Sequence, residues 1–508
     1  MSLSAALSIA SGSLANINGQ LALVSNNVAN AGTPGYVSET ATQQSVTADG
    51  MGLGVAAGPV TRDINTALQA QAFQQNSTVA GLQTTQAALQ AIDAVQGTPG
   101  QGGDIAGLLG NLQNQFSTLL NAPDNQTQQQ AVVSGATTLA QTVNSLSNAY
   151  TAQRQAAENS IVGEVGTINA TLATIGQLSN QIVTLKSGGQ STADLENQRD
   201  QAVQQLGQLV DVKALVQPNG DMLIITGSGL ALPIHGVADP LSTSGANVLP
   251  GATYPGGGIP AVTMGGTDVT AQLGGGALGA NVTLRDTTLP TYQAELDEFS
   301  QNLASRFSAQ GLTLFSDPTG AVPAGGGTPV QSGYVGFAST IQVNPAVLAD
   351  PALVRDGTTA IAGSPAGASA FTPNPAGGPA GFGTMIDRVL TYALGADAQN
   401  GVPQPASNTT GLGVSGTLAA PYAAPATLGG LASTLVAAQA QDSANTTSQL
   451  NTEQAVQTTL NGTLATSSGV NMDTQMTLMI QLQNAYGVNA KVIAAEQSMW
   501  TQLISAVQ

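Results

Sequence analysis

The sequence predicts an α+β multidomain protein. Long, coiled-coil-like terminal α-helices belong together in space, further α-helical segments lie inward of them along the chain, and β-rich domains are inserted between. Three observations predict this. Both ends carry apolar residues at heptad spacing. The segments just inside them are long, Ala- and Gln-rich helix formers. Gly- and Pro-rich stretches with strand character interrupt the middle of a 508-residue chain.

The first element is the N-terminal stripe. Leu3, Leu7, Ala10, Leu14, Ile17, Leu21, Val24 and Val28 alternate spacings of four and three, and no charged residue lies among them. Such a stripe reads as one amphipathic helix, ended where Gly32 and Pro34 break it. At the other end Met472, Met476, Met479, Gln483, Tyr486, Ala490, Ile493, Gln497, Trp500, Ile504 and Val507 repeat the alternation. Asp473 stands near the start, where the helix dipole favours a carboxylate. Taken singly, each stripe is explained by a helix facing its own core. Two stripes at the extreme ends, where chains ordinarily fray, point instead to ends that pair and assemble. Burying one stripe gains less than ordering its helix costs. The N-terminal helix therefore needs the C-terminal one, and neighbouring molecules besides.

Inward, helices are expected over 62–95, 105–121, 127–186, 192–210 and 289–309, and again from Leu428 with a break near Gly469. Pro218-Asn219-Gly220 between apolar runs signals a hairpin. Gly52-Leu53-Gly54 precedes an expected extended connector and reads as a flexible point in the chain. Residues 311–427 are too rich in Gly and Pro for long helices and read as β-rich or irregular. The expected division is a terminal helical domain of 1–60 with 470–508, a second helical domain of 61–212 with 282–310 and 428–469, and a β-rich inserted part of 213–281 with 311–427.

Composition excludes several function classes. Only 7% of residues are charged, against about 25% in ordinary soluble domains, so many copies can pack together without burying unpaired ions. The net charge of −18, from 28 acidic and 10 basic residues, opposes binding to nucleic acid or anionic membrane. There is no cysteine, which excludes disulfides and suits a chain exported unfolded to an oxidising exterior. The first basic residue is Arg62, so no Sec-type signal peptide is expected, and no apolar run is long enough to span a membrane. One histidine, His235, leaves no multi-histidine metal site and no Ser/His/Asp triad. Gly411-Leu412-Gly413-Val414-Ser415-Gly416 spells GxGxxG, but no strand precedes it and no helix clearly follows. Glu295, Asp297 and Glu298 read as a solvated helix face. The expectation is a protein that is not an enzyme, with no catalytic, metal or cofactor-binding residues.

After the first helix stand Ala29-Asn30-Ala31-Gly32-Thr33-Pro34-Gly35-Tyr36. Pro34-Gly35 suits the centre of a turn, with Gly supplying positive φ. Motif and position resemble the ANxxTPGY signature of the flagellar rod, hook and hook-associated proteins, carried here by Ala29, Asn30, Thr33, Pro34, Gly35 and Tyr36. Asp194-Leu195-Glu196-Asn197-Gln198-Arg199-Asp200, residues 284–310, residues 341–354 and the segment from Ser468 to Trp500 are similar to blocks of the hook-associated protein 1 (FlgK) family. The resemblance implies a hook–filament junction subunit, exported through the flagellar type III channel to an extracellular place in the flagellum. It implies as partners other copies of the chain, the hook protein, the second hook-associated junction protein and an export chaperone. In this reading Met472, Met476, Met479, Tyr486, Ile493, Trp500, Ile504 and Val507 meet first the chaperone and then the assembly. Another axial subunit (hook or distal rod protein) is the nearest alternative and should lack the 194–200 block; a secreted adhesin should carry a Sec signal.

Overall fold

A computed structural model describes residues 3–33, 35–48 and 51–507. Pro34 and the side chains of Leu3 and Val507, named above, lie outside the described residues.

Helix α1 (Leu3–Asn30) leads into an antiparallel ribbon of β1 (Glu39–Ala48) and β2 (Met51–Arg62). This ribbon replaces the expected connector. Its Thr, Gln, Ser and Gly residues show no apolar alternation, because most of it is exposed. Close packing of β2 on α1 supplies what alternation would have signalled: a Cβ on Gly54 would sit 3.5 Å from Ile9 Cγ2.

The body begins with α2 (Thr66–Gln96), α3 (Ile105–Leu120), α4 (Gln126–Ser187) and α5 (Ala193–Leu209). Side chains cap the first three: Asn65, Asp104 and Asn125 each accept from first-turn amides. Strands β3 (Val212–Val216), β4 (Met222–Thr226) and β5 (Ala231–Leu232) make one small sheet, the first two joined by the expected hairpin. Strands β6 (Leu241–Ser242), β7 (Thr263–Met264) and β8 (Thr267–Asp268) make another. Helix α6 (Gly276–Thr283) runs through one π-turn into α7 (Leu289–Ala309).

Beyond it, structure is sparse. Strands β9 (Phe315–Ser316) and β10 (Gln342–Val343) pair, followed by the short helices α8 (Pro345–Ala349), α9 (Leu353–Asp356) and α10 (Thr384–Arg388). Two hairpins follow: β11 (Asp397–Gln399) with β12 (Val402–Pro403), and β13 (Thr410–Leu412) with β14 (Leu418–Ala419). Gly413 and Gly416 turn the last hairpin at φ +76° and +69°, so the GxGxxG letters belong to a β-turn region with no helix after it. The chain closes with α11 (Leu428–Ser468) and α12 (Met472–Val507).

Two cores share the long helix α4. Its first half packs with α3, α7, the start of α11 and residues between 312 and 394, burying Phe116, Phe299, Phe307 and Phe315 completely. Its second half, from Ile161, packs with α5, the β3–β5 sheet and residues 241–278. Between the two, Arg285 and Glu158 form a fully buried ion pair at 2.7 Å. Arg154 beside them donates to the carbonyls of Leu249, Ala252 and Arg285.

The acidic trio of α7 corrects the sequence reading. Glu295, Asp297 and Glu298 are 2%, 2% and 3% exposed, not solvated. Residues 331–338 and 407–413 fold over that face and supply donors to Asp297 and Glu298. Asp297 accepts the backbone N–H of Gly336 at 2.7 Å and of Ala338 at 2.9 Å. Glu298 accepts the Tyr334 hydroxyl at 2.6 Å and the Asn408 N–H at 2.7 Å. The charges thus anchor an irregular segment that has little regular structure of its own.

Candidate assembly interface

The terminal helices pair antiparallel. Asn27 Nδ2 donates to Gln475 Oε1 at 3.4 Å, and Asn489 Nδ2 donates to Ser13 Oγ at 3.2 Å. Along α1 the apolar stripe faces this partner: Ala10, Ile17 and Val24 are buried, and Leu7, Leu14, Leu21 and Val28 are half-buried. The opposite face carries Ser8, Ser11, Gly12, Ala15, Asn18, Gly19, Ala22 and Ser25, all exposed.

Helix α12 meets α1 through a different set of residues from the stripe read in the sequence. Gln475, Met479, Leu482, Ala485, Asn489, Ile493 and Glu496 are its buried or half-buried positions. Only Met479 and Ile493 belong to both sets. Met472, Met476, Tyr486, Trp500 and Ile504 are 41–55% exposed, and Ile480, Val488 and Leu503 are more exposed still. Two glutamines in the sequence stripe, Gln483 and Gln497, already marked it as imperfect. The seam that forms instead takes in Gln475 and Asn489, whose amides bond across it. In a single chain, α12 therefore buries one narrow seam and leaves large apolar side chains over the rest of its surface.

The base of the pair is locked to the body by one polar node. Asn27 Oδ1 accepts from the Tyr36 hydroxyl at 3.0 Å and the Glu39 N–H at 3.0 Å, while Asn27 Nδ2 donates to the Glu39 carbonyl at 2.8 Å. On the body side, Asn197 of α5 accepts from Val37 N–H and Arg62 Nη1, and donates to the Val37 carbonyl and Glu39 Oε1. Arg62 adds ion pairs to Glu196 at 3.1 Å and Asp200 at 2.9 Å, both partly or wholly shielded from water. Ser468, at the end of α11, accepts the Ser38 N–H at its carbonyl and the Asn65 N–H at its hydroxyl. Burial raises the Tyr36 hydroxyl above its ordinary range. Burial first, and then the charge of Asp194, raises Glu39.

This geometry gives the motif residues structural roles. Gly35 has φ +78°, and the Tyr36 N–H closes onto the Thr33 carbonyl at 3.2 Å, forming the turn. Asn30 ends α1 by donating to the Asn26 carbonyl and side chain, and it accepts from Thr33 Oγ1. Ala29 is exposed. Arg199, buried in the 194–200 block, donates to the Gly220 carbonyl at 2.7 Å and so ties α5 to the β3–β4 hairpin. Sequence reading missed Asn27, Glu39, Arg62, Asn197 and Gln475 as a group. The available signal was Asn27, an amide on the shoulder of an otherwise apolar stripe.

Under the turn lies a cavity of about 310 Å³, between Ala31–Val37 on one side and α2, α5 and the end of α11 on the other. Elsewhere His235 is exposed and bonds to Asp221 at 2.9 Å. Among the described residues no group of three or more His, Cys, Asp or Glu side chains could hold a metal ion, and no helix is long and apolar enough to cross a membrane.

Two family models match parts of this chain. Residues 89–321 match the family model of the flagellar hook-associated protein FlgK helical domain. Residues 461–506 match that of the flagellar basal body rod FlgEFG protein C-terminal region. A curated relative, flagellar hook-associated protein 1 of Bacillus subtilis strain 168, is 24% identical over 221 residues, which are 41% of this chain and 43% of the relative. The solved flagellar hook junction protein FlgK of Burkholderia pseudomallei aligns at 26% identity with a TM-score of 0.40, over 50% of this chain and 46% of that one. The chain thus spans less than half the length of each of these two proteins. The helical body is therefore similar to the FlgK helical domain, and α12 with the end of α11 is similar to the C-terminal region of the flagellar basal body rod FlgEFG proteins.

Proposed function

We propose that this chain is a structural subunit of the bacterial flagellum that joins hook to filament, built into the axial structure through its terminal helices. One observation carries the reading. The ends pair with each other, yet α12 keeps Met476, Ile480, Val488, Val492 and Leu503 exposed in the single chain. Apolar surface on this scale marks a contact with other molecules. With so few charges on either helix, neighbours can bury it without stranding ions. Residues 1–60 with 470–508 form the assembling part, the helices of 61–212, 282–310 and 428–469 the shell, and 213–281 with 311–427 the outer part. The absence of cysteine suits passage as an unfolded chain through the flagellar type III channel to the exterior. The exposed face of α12 is the surface for an export chaperone, then for other copies, the hook protein and the second junction protein. The role is that of a scaffold rather than an enzyme.

Deletion of the gene in its host, followed by electron microscopy and analysis of the medium, tests the reading. Hooks without filaments, with flagellin shed into the medium, are expected. Loss of the hook would instead make the chain a hook or rod subunit. Filaments intact on the deletion strain would sink the reading.

A further inference from the structure

We propose that the buried polar layer at the middle of α4 is a register device: it sets how the two cores align along that helix and adds little net stability.

The buried faces of two helical runs meet in this layer. Along α4 the buried positions Leu146, Tyr150, Arg154, Ala157, Ile161 and Val165 keep helical spacing. Along α6 and α7, Leu278, Arg285, Leu289, Tyr292 and Leu296 do the same. An arginine stands in each row where an apolar residue would continue it. On these rows the first core ends at Ala157 and Leu284, and the second begins at Ile161 and Leu278.

Every charged group between the cores has directional partners. Arg285 Nη1 donates to Glu158 Oε2 at 2.7 Å, while its Nε and Nη2 donate to the two oxygens of Asp286 at 2.8 and 2.7 Å. The Tyr254 ring covers the same guanidinium, its centre 5.6 Å from Cζ. Glu158 Oε1 accepts the Ala246 N–H at 3.1 Å, and Gln155 Oε1 accepts the Val248 N–H at 2.8 Å. Arg154 holds the carbonyls of Leu249 and Ala252 in the same loop. One turn of α4 thus grips a loop whose two ends, at Leu241 and Val262, lie in the second core. It also grips Arg285, from which α7 leads into the first core.

Apolar packing is non-directional, so it leaves two cores strung on one helix free to settle a turn apart. A shift of that size would strand the guanidinium of Arg285, which is wholly buried. Polar residues set in an apolar seam fix register in this way, with no gain in stability over an apolar filling.

The native chain has no cysteine, so spin labels on Leu215→Cys in β3 and Leu348→Cys in α8, both exposed, report on the separation of the two cores. Pulsed electron spin resonance on the full chain should give one narrow distance. Arg285→Met with Glu158→Gln removes the buried charges of the pair and keeps an acceptor for Ala246. This double variant should melt no lower than the parent, yet its distance should broaden or split, the new component displaced by up to one helical turn, about 5 Å. Ile175→Ala, at a fully buried position of the second core, should do the reverse, melting lower with the distance still narrow. A double variant with a distance as narrow as the parent's would overturn the inference, and so would a broad distance in the parent. So would a double variant that melts as low as Ile175→Ala or fails to fold, because the layer would then be carrying stability.

Discussion

The terminal pair and the helical body solve the same burial problem to different extents. In the body, Leu112, Phe116, Leu139, Phe299, Leu303 and Phe307 are sealed, and each is touched from several elements. In the terminal pair, Ile17, Val24 and Leu482 form a seam one residue wide. Outside that seam α1 shows Ser, Gly and Ala, whereas α12 shows Met, Ile, Val and Leu. The two terminal helices thus divide the labour. A small-residue face permits close approach, and a large apolar face needs something to approach. The body buries its large apolar side chains within one chain, whereas α12 leaves most of its own exposed.

The largest effect should come from breaking the sealed side. Phe299→Ala opens a hole where α4, α7 and α11 meet and should cost about 3–5 kcal/mol, seen as a large drop in the melting temperature of the isolated chain. The matching change in the seam, Ile17→Ala, should leave that melting temperature within error and abolish swimming. The comparison fails if both variants melt alike. It sharpens in amide exchange: in dilute solution residues 3–30 and 472–507 should exchange fast and be cut by protease, while α4 and α7 stay protected.

A smaller effect is expected at the joint. Asn27→Ala leaves the Tyr36 hydroxyl, the Glu39 N–H and the Glu39 carbonyl without their partner, a penalty of about 1–3 kcal/mol. Because the node joins ends to body, the loss should appear as faster proteolysis between residues 30 and 62 and as fewer attached filaments. Melting of the body should not move. Tyr36→Phe removes one of the three bonds and should give a weaker version of the same phenotype. A body that melts early in either variant would make the node part of the core rather than a joint.

These expectations also explain what the sequence could reveal. Helices with strong local signals were legible almost to the residue. The expected 127–186 is found as Gln126–Ser187, with Asn125 as its cap and Gly188 after it, and the expected 289–309 as Leu289–Ala309. The α1 stripe was legible because one face of that helix packs on one partner. The α12 seam was not, because that helix is apolar on several faces and period alone cannot say which face its own chain takes. The β1–β2 ribbon was hidden by its exposure. The α7 carboxylates were misread because their donors come from residues 36–110 positions later, in a segment whose path no local pattern specifies.

Those same carboxylates give the smallest expected effect, a dependence of body stability on pH. Burial raises Glu295 to about 8, Asp297 to about 7 and, in the second core, Glu164 to about 7. Each folded value lies above the ordinary carboxylate range, so the folded chain holds protons that the unfolded chain has released at the same pH. The stabilisation is then fully present below about pH 4, where both states are protonated. It declines as pH rises through 7 and 8. Glu295, raised furthest of the three chiefly by its burial, should contribute most, and Glu295→Gln should flatten the alkaline side of the profile. The melting temperature of the body should therefore fall between pH 6 and pH 9, while proteolysis of the ends, whose seam holds few titrating groups, should change little. An equal response of both regions would mean that ends and body unfold together, and the division between a self-sufficient body and dependent ends would be lost.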